Sequence, residues 1–291
     1  MRKKSTRLLS AALAACMMLS VLPVGAFAAE TSAETENGVS VQAETYHLKG
    51  GEKINDDFVK DHGSTYTIGE EGDYLYNSII TIDTTKDVTI KFINDVKSEM
   101  RGTSVDLVPD LEYQRSLINA KNVGKLTISN EDNYKFENHY WGGRFLGVTA
   151  PNAIVEVNGG IYGSYAVGTF YFNECDATLT DVTVNDSTYA CVYNDNATVT
   201  VDRGNYTTKR SSAITNQKGG TLNLNGVTAT SGLTAVENNG GYVTINGGTY
   251  TSTGSAKEPW SYPAVKNQDT YGFGTTMTIL DGEFVAEGKD A

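Results

Sequence analysis

The sequence predicts an all-β solenoid built from short strands stacked rung upon rung. Two observations carry that prediction. First, a ten-residue pattern recurs along the chain. Residues 241–250 read G-Y-V-T-I-N-G-G-T-Y, 153–162 read A-I-V-E-V-N-G-G-I-Y, 197–206 read A-T-V-T-V-D-R-G-N-Y, and 275–284 read T-T-M-T-I-L-D-G-E-F. Second, the inner apolar position of the pattern recurs at Ile68, Ile90, Ile128, Val157, Leu179, Val201, Leu224, Ile245 and Ile279. Five of the eight gaps are 21–23 residues, and the gaps of 38, 29 and 34 read as that period plus an insertion. A short fixed period means a solenoid, and alternation within each copy means its units are strands.

Residues 1–28 are expected to lie outside the fold. Arg2, Lys3, Lys4 and Arg7 form a basic start, an apolar run follows, and Ala26-Phe27-Ala28 is a small-x-small cleavage site, the pattern of a secretory signal peptide. Leu13-Ala14-Ala15-Cys16 also fits a lipoprotein acylation box, but apolar residues continue past Cys16. No other run reaches the roughly 18 apolar residues that a membrane span needs. Residues 29–45 are small and acidic and read as a disordered linker. The chain is expected to be secreted, with surface attachment left open.

The whole chain carries a formal charge of −12; removing residues 1–28 takes four cations and no acid, which leaves −16. Such a chain repels nucleic acid and anionic headgroups. Beyond the leader the cysteines are Cys175 and Cys191. Secretion permits a disulfide, but the two sit at unlike positions of the repeat.

Residues 46–75 read as an N-terminal cap and first rung, with a short helical turn at 56–60, and residues 76–291 as the solenoid. Tyr66-Thr67-Ile68 matches Val88-Thr89-Ile90 at a spacing of 22. Within each rung the first strand points alternate apolar residues inward, as Val155 and Val157 or Val243 and Ile245. After an Asn-Gly type turn, the second strand's inward positions pair Gly160 with Tyr162, Val182 with Val184, Gly204 with Tyr206, Val227 with Ala229 and Gly248 with Tyr250. Aromatic-with-glycine rungs alternate with aliphatic ones, which reads as volume compensation in a packed tube.

The third strand carries A-V-x-N or a variant of it. Asn119, Asn173, Asn194, Asn216, Asn238 and Asn267 fall in one column and predict an inward amide ladder, stepping about 4.8 Å per rung. Local Asx-turns are the alternative.

Rungs of about 22 residues with three strands, an Asn ladder and N-G-G turns resemble the right-handed, single-stranded parallel β-helix of the pectin-lyase-like superfamily. The T-I-N-G-G-T-Y and A-V-x-N motifs also resemble repeats in secreted and wall-attached proteins of gut Firmicutes. The resemblance covers residues 66–291 and is specific for architecture, not activity. It implies polysaccharide lyases and hydrolases, with calcium-binding Asp/Glu clusters and a basic residue, or with N-x-D, D-D, G-H-G and R-x-K elements. The rungs contain no G-H-G and no D-D, and Lys209-Arg210 is not R-x-K, so no catalytic residue carries over.

Weaker candidates remain. Glu174 and Asp195 each follow a column asparagine on adjacent rungs, an arrangement that raises one pKa or invites Ca²⁺; no other cofactor is expected. Asp181 and Asp202 sit similarly at the opposite turn, and Glu237 faces outward beside Asn238. A solvated acidic surface is the preferred reading of all of these, since spacing alone shows no matched acid and base in a cleft.

The insertions say more. Aligned on the asparagines, residues 96–115, 134–145 and 251–263 leave from one turn, between the second and third strands, and residues 268–274 leave from the ladder corner. Loops piled on one edge mark a binding side. The loops carry Tyr140, Trp141 and Arg144, and Trp260 and Tyr262. Between them a groove of about 24 Å, five strand spacings, has a floor of Tyr165, Phe172, Tyr189, Tyr193, Thr215, Lys209 and Arg210. Aromatic faces with nearby hydroxyls and cations suit a sugar. The same aromatics could fold down over the tube instead.

Three functions compete. The leading one is a secreted or cell-surface module that binds polysaccharide or glycoprotein glycan without catalysis. The second is a divergent polysaccharide lyase or glycosidase, and the third a structural stalk. Residues 282–291 stop in mid-rung, so further domains or a covering partner are expected.

Overall fold

The computed structural model describes residues 45–69, 75–100, 115–140, 142–166, 168–254 and 262–287. The predicted signal peptide and linker fall at residues 1–44, outside the described residues. The described chain is all-β. Twenty-one strands form one parallel sheet of the kind a solenoid-like β-helix contains, beside one helix, Asp56–His62. Among the described residues no helix is long and apolar enough to cross a membrane.

The pairings fall into three columns. In the first, Ile90, Ile128, Val157, Leu179, Val201, Leu224, Ile245 and Ile279 are consecutive partners, as the repeat predicts. Ile68 departs from it: Tyr66 partners Ile90, and Ile68 partners Phe92. The local V-T-I likeness put this strand two residues out. A shift of two keeps the same side chains inward, so alternation cannot tell the registers apart. The cap decides between them, because the Tyr66 ring packs against Tyr46 and Phe58. Phe58 belongs to the helix, whose first turn is capped by the Asn55 side chain accepting from the Phe58 amide at 2.9 Å.

In the second column Val96, Phe136, Tyr162, Val184, Tyr206, Ala229, Tyr250 and Phe284 stack in register. The alternation of large and small runs from Tyr162 to Tyr250, all fully buried. The glycine beside each aromatic is a packing requirement. At Gly204, with φ at 106°, an added Cβ would lie 2.1 Å from the Val182 carbonyl oxygen.

The third column reads Ile54, Ile82, Ala120, Val148, Phe172, Asn194, Asn216, Asn238 and Asn267. The amides of the last four form the ladder. Nδ2 donates to the next Oδ1 at 2.7 Å from Asn194, 2.8 Å from Asn216 and 2.8 Å from Asn238. Asn119 and Asn173 are not rungs of it. Each is one residue off, beside Ala120 and Phe172, and alternate residues of a strand face opposite sides. Asn194, Asn216 and Asn238 are fully buried and Asn267 is exposed, so the ladder runs over one stretch of the column, and aliphatic and aromatic side chains fill the column before it.

A second polar column went unpredicted. Ser187, Thr208, Ser231 and Ser252 stack where the second strand ends, all buried. Thr208 donates to the Tyr189 carbonyl, Ser231 to that of Ser211, and Ser252 to that of Leu233. These hydroxyls satisfy corner carbonyls that no strand partner reaches. Their signal was present, as Ser or Thr two residues after the inward Tyr206, Ala229 and Tyr250.

Candidate functional site

The corner between the second and third columns carries most of the predicted binding residues. Tyr140, Tyr165, Tyr189, Lys209 and Arg210 follow one another along it, joined by backbone bonds from Tyr165 N to Asn138 O at 3.1 Å and from Arg210 N to Thr188 O at 3.0 Å. The Tyr165 and Tyr189 rings meet edge to face, with centroids 5.7 Å apart. Beside them lies a pocket of about 160 Å³ lined by Lys135, Glu137, His139, Gly163, Tyr165, Asn185 and Thr188 among others. Gly163 lines it without a side chain, and a Cβ there would stand 2.9 Å from the Asn185 carbonyl oxygen. Tyr140 is tied down, its hydroxyl 3.3 Å from Glu99 Oε1 and its amide on Asn138 Oδ1.

The insertions sort differently from the expectation. Residues 99–114 and 253–264 do interrupt the chain at this corner, between the strands ending at Ser98 and Ser252 and those beginning at Arg115 and Val265. The middle one is divided. Three of its extra residues sit at the first turn, where Gly159 and Ile161 pair with Asn130 and Lys135. Phe136 goes into the core, fully buried. Only the stretch after Asn138 reaches the predicted corner. A gap length records how many residues are surplus, not at which corner they leave. Residues 268–274 leave between Asn267 and Thr275, at the ladder corner as expected. Trp141 and Trp260 lie outside the described residues, and Tyr262 is half-buried.

Arg144 and Tyr193 stand on the neighbouring face, the outer side of the third column. There Asn119, Gly147, Tyr171, Tyr193, Thr215, Glu237 and Lys266 stack outward. Phe172, expected on the groove floor, points inward at 0% exposure, and Tyr171 takes the outer position. The Arg144 guanidinium lies 4.5 Å from the Tyr171 ring centre, and Tyr171 stacks on Tyr193 with centroids 6.0 Å apart. Burial lowers the Arg144 pKa to about 10, against the opposing influence of Tyr171, Tyr193 and Asp195. Burial, and then the Asp195 charge, push both tyrosines well up.

The carboxylate candidates are engaged. Asp195 accepts from Tyr171 Oη at 2.9 Å, Gln217 Nε2 at 3.0 Å and Lys218 Nζ at 3.1 Å. Glu237 accepts from Ser212 Oγ at 2.7 Å, Gln268 Nε2 at 3.0 Å and Lys266 Nζ at 3.3 Å. Glu174 is not Asp195's neighbour in register. Its amide bonds the Asn196 carbonyl, and it sits exposed at a turn with φ at 56°. Glu174 is level with Asn196, and Asp195 with Asn173, so the two carboxylates are one residue out of register. Among the described residues no three His, Cys, Asp or Glu side chains gather as a metal would require. Cys175 and Cys191 are buried free thiols, and burial raises Cys175 to about 12.

No family model matches this chain. No curated protein and no solved structure matches it either.

Asp181 and Asp202 are separated by Arg203, whose Nε lies 2.8 Å from Asp181 Oδ1 and whose Nη1 lies 3.1 Å from Asp202 Oδ2. Bonding to Arg203 holds the Asp181 carboxyl below its usual 3.8. The pair's contribution is present above that value and is lost as pH falls through the lower folded one. In an NMR titration Asp181 is expected to titrate below 3.8, and Arg203→Gln to bring it back. An unchanged titration in the variant would mean that the ion pair is not formed in solution.

Proposed function

We propose that this chain is a secreted or cell-surface module that binds polysaccharide or glycoprotein glycan along the corner from Tyr140 to Arg210, without cleaving it. We read its frame as a right-handed parallel β-helix with about 22 residues and three strands per rung. The observation that carries the binding reading is the Tyr165–Tyr189 ring pair, whose Tyr165 lines the pocket together with Gly163. A ring face there can take the apolar side of a sugar, while Asn185, Thr188, Lys135 and Glu137 offer donors and acceptors to its hydroxyls. Asp195 and Glu237 support binding over cleavage, since each already holds a lysine and an amide of its own chain.

The test is a panel of plant, mucin and microbial polysaccharides, with and without Ca²⁺, assayed for binding and for new reducing or unsaturated ends. Binding without product is expected, and Tyr165→Ala is expected to weaken it about tenfold, equivalent to about 1.4 kcal/mol. Release of products, or binding indifferent to both Tyr165→Ala and Tyr189→Ala, would overturn this reading.

A further inference from the structure

The corner between the third and first columns carries a second pocket, of about 320 Å³. Two rows of residues line it. Asn152, Glu174 and Asn196 form the first, each at a turn with φ between 56° and 66°. Backbone bonds join them, from Asn152 N to Glu174 O at 2.9 Å and from Glu174 N to Asn196 O at 3.2 Å. Asp176, Thr198 and Thr221 form the second row, as successive partners at the outward start of the first strand.

Aromatic rings stand at the far end. Tyr242 follows Thr221 in the second row and is 57% exposed. Phe273, 54% exposed, stands against Gly219, which lines the pocket: a Cβ there would lie 3.7 Å from Phe273 Cδ1. The Phe273 loop is held from within, because the Asp269 carboxylate accepts from the amides of Gly272, Phe273 and Gly274 at 2.7, 3.1 and 2.9 Å. It leans back onto Gly219 and Gly240, so rungs before its own set its place.

We propose that this pocket is a second glycan site, which takes an uncharged sugar chain. No lysine or arginine lines it. Its carboxylates, Glu174 and Asp176, make no ion pair and no side-chain hydrogen bond among the described residues, whereas Asp195 and Glu237 are engaged. They can accept from sugar hydroxyls, in the charge-assisted bonds that are the stronger kind. The Asn152 and Asn196 amides and the Thr198 and Thr221 hydroxyls can both donate and accept. The same carboxylates repel a uronate or a sulfated sugar. The Tyr242 and Phe273 rings offer faces to the apolar side of a sugar, and a loop already ordered loses little freedom on binding. The ligand class rests on the proposed function, but the residues are separate from Tyr165 and Tyr189, so each site can fail alone. With both corners occupied, one module holds two glycan chains.

The experiment is an NMR titration of the variant Tyr165→Ala with Tyr189→Ala, in which the first corner is disabled. The probes are neutral gluco-, manno- and xylo-oligosaccharides, oligogalacturonate and a lysine-rich peptide. A neutral oligosaccharide is expected to shift the amides of Asn196 and Gly219, and oligogalacturonate to leave them unmoved. Phe273→Ala should weaken this binding about tenfold, and Phe273→Tyr should preserve it, which ties the loss to the ring. Glu174→Gln with Asp176→Asn should weaken the neutral ligand and admit oligogalacturonate. If these amides stay unmoved while the parent binds through Tyr165, this second site is overturned alone. No binding at either corner overturns the proposed function as well. Oligogalacturonate bound as tightly as a neutral sugar overturns the charge selection, and a response to the peptide but to no sugar gives the pocket to a cationic partner and overturns the proposal.

Discussion

Asn216→Ala is expected to cost the fold about 3–5 kcal/mol. The side chain is fully buried and sits in the middle of the amide ladder. It donates to the Gly220 carbonyl at 2.9 Å and to Asn238 Oδ1 at 2.8 Å, and it accepts from Asn194 Nδ2. Alanine leaves the first two groups without this donor inside a tube that excludes water, and each such orphan costs about 1–3 kcal/mol. Asn173→Ala is the control, because Asn173 is only half-buried and Phe172 occupies its predicted place. It should stay within about 0.5 kcal/mol. Denaturant midpoints measure both. Equal losses at the two positions would mean that the ladder register is wrong.

The contrast between these two asparagines marks how far the fold was legible. From Val157 to Ile245 the copies follow one another with little insertion, and the gaps alone place the anchors opposite one another. Outside that stretch the same reasoning weakens for a physical reason. Asn173 and Asn119 are each one residue from the ladder column, and a one-residue error reverses the facing of a side chain. What betrays the error is composition. Phe170-Tyr171-Phe172 reads inward, outward, inward, and a phenylalanine at the amide position shows that the column has changed character there.

The binding corner was legible where it depends on position and illegible where it depends on reach. Tyr165 and Lys209 each come three residues after the inward Tyr162 and Tyr206, so the repeat brings them to one corner, while Tyr189 comes five after Val184, past an irregularity in the strand. Arg144 is different. Its guanidinium crosses to the next strand and settles on Tyr171, in the column where Gly147 contributes no side chain. Lys218 likewise reaches back from the following strand to Asp195. Spacing tells which backbone positions are neighbours, but a long side chain chooses its partner by charge and by the space a small residue leaves. For that reason Asp195 reads in the sequence as an open carboxylate and in the structure as an engaged one.

Tyr206 should give the second large effect, and its two substitutions should move in opposite directions. Its ring lies between Val184 and Ala229 in the second column and is fully buried. Tyr206→Ala removes the ring without letting either small neighbour fill the space, at a cost of about 3–5 kcal/mol. The hydroxyl, by contrast, finds no hydrogen-bond partner among the described residues. Tyr206→Phe keeps the packing and removes a buried orphan, so it should stabilise by about 1 kcal/mol. Burial also holds the Tyr206 phenol well above its usual pKa of 10. The unfolded chain ionises there first, so this group's share of stability is intact below pH 10 and drains away as pH rises beyond it. The phenylalanine variant should accordingly lose stability less steeply in alkali. Thermal melts from pH 7 to 11 decide the matter. If Tyr206→Phe is less stable than the parent throughout, the hydroxyl has a partner and the packing account of this column must be rebuilt around it.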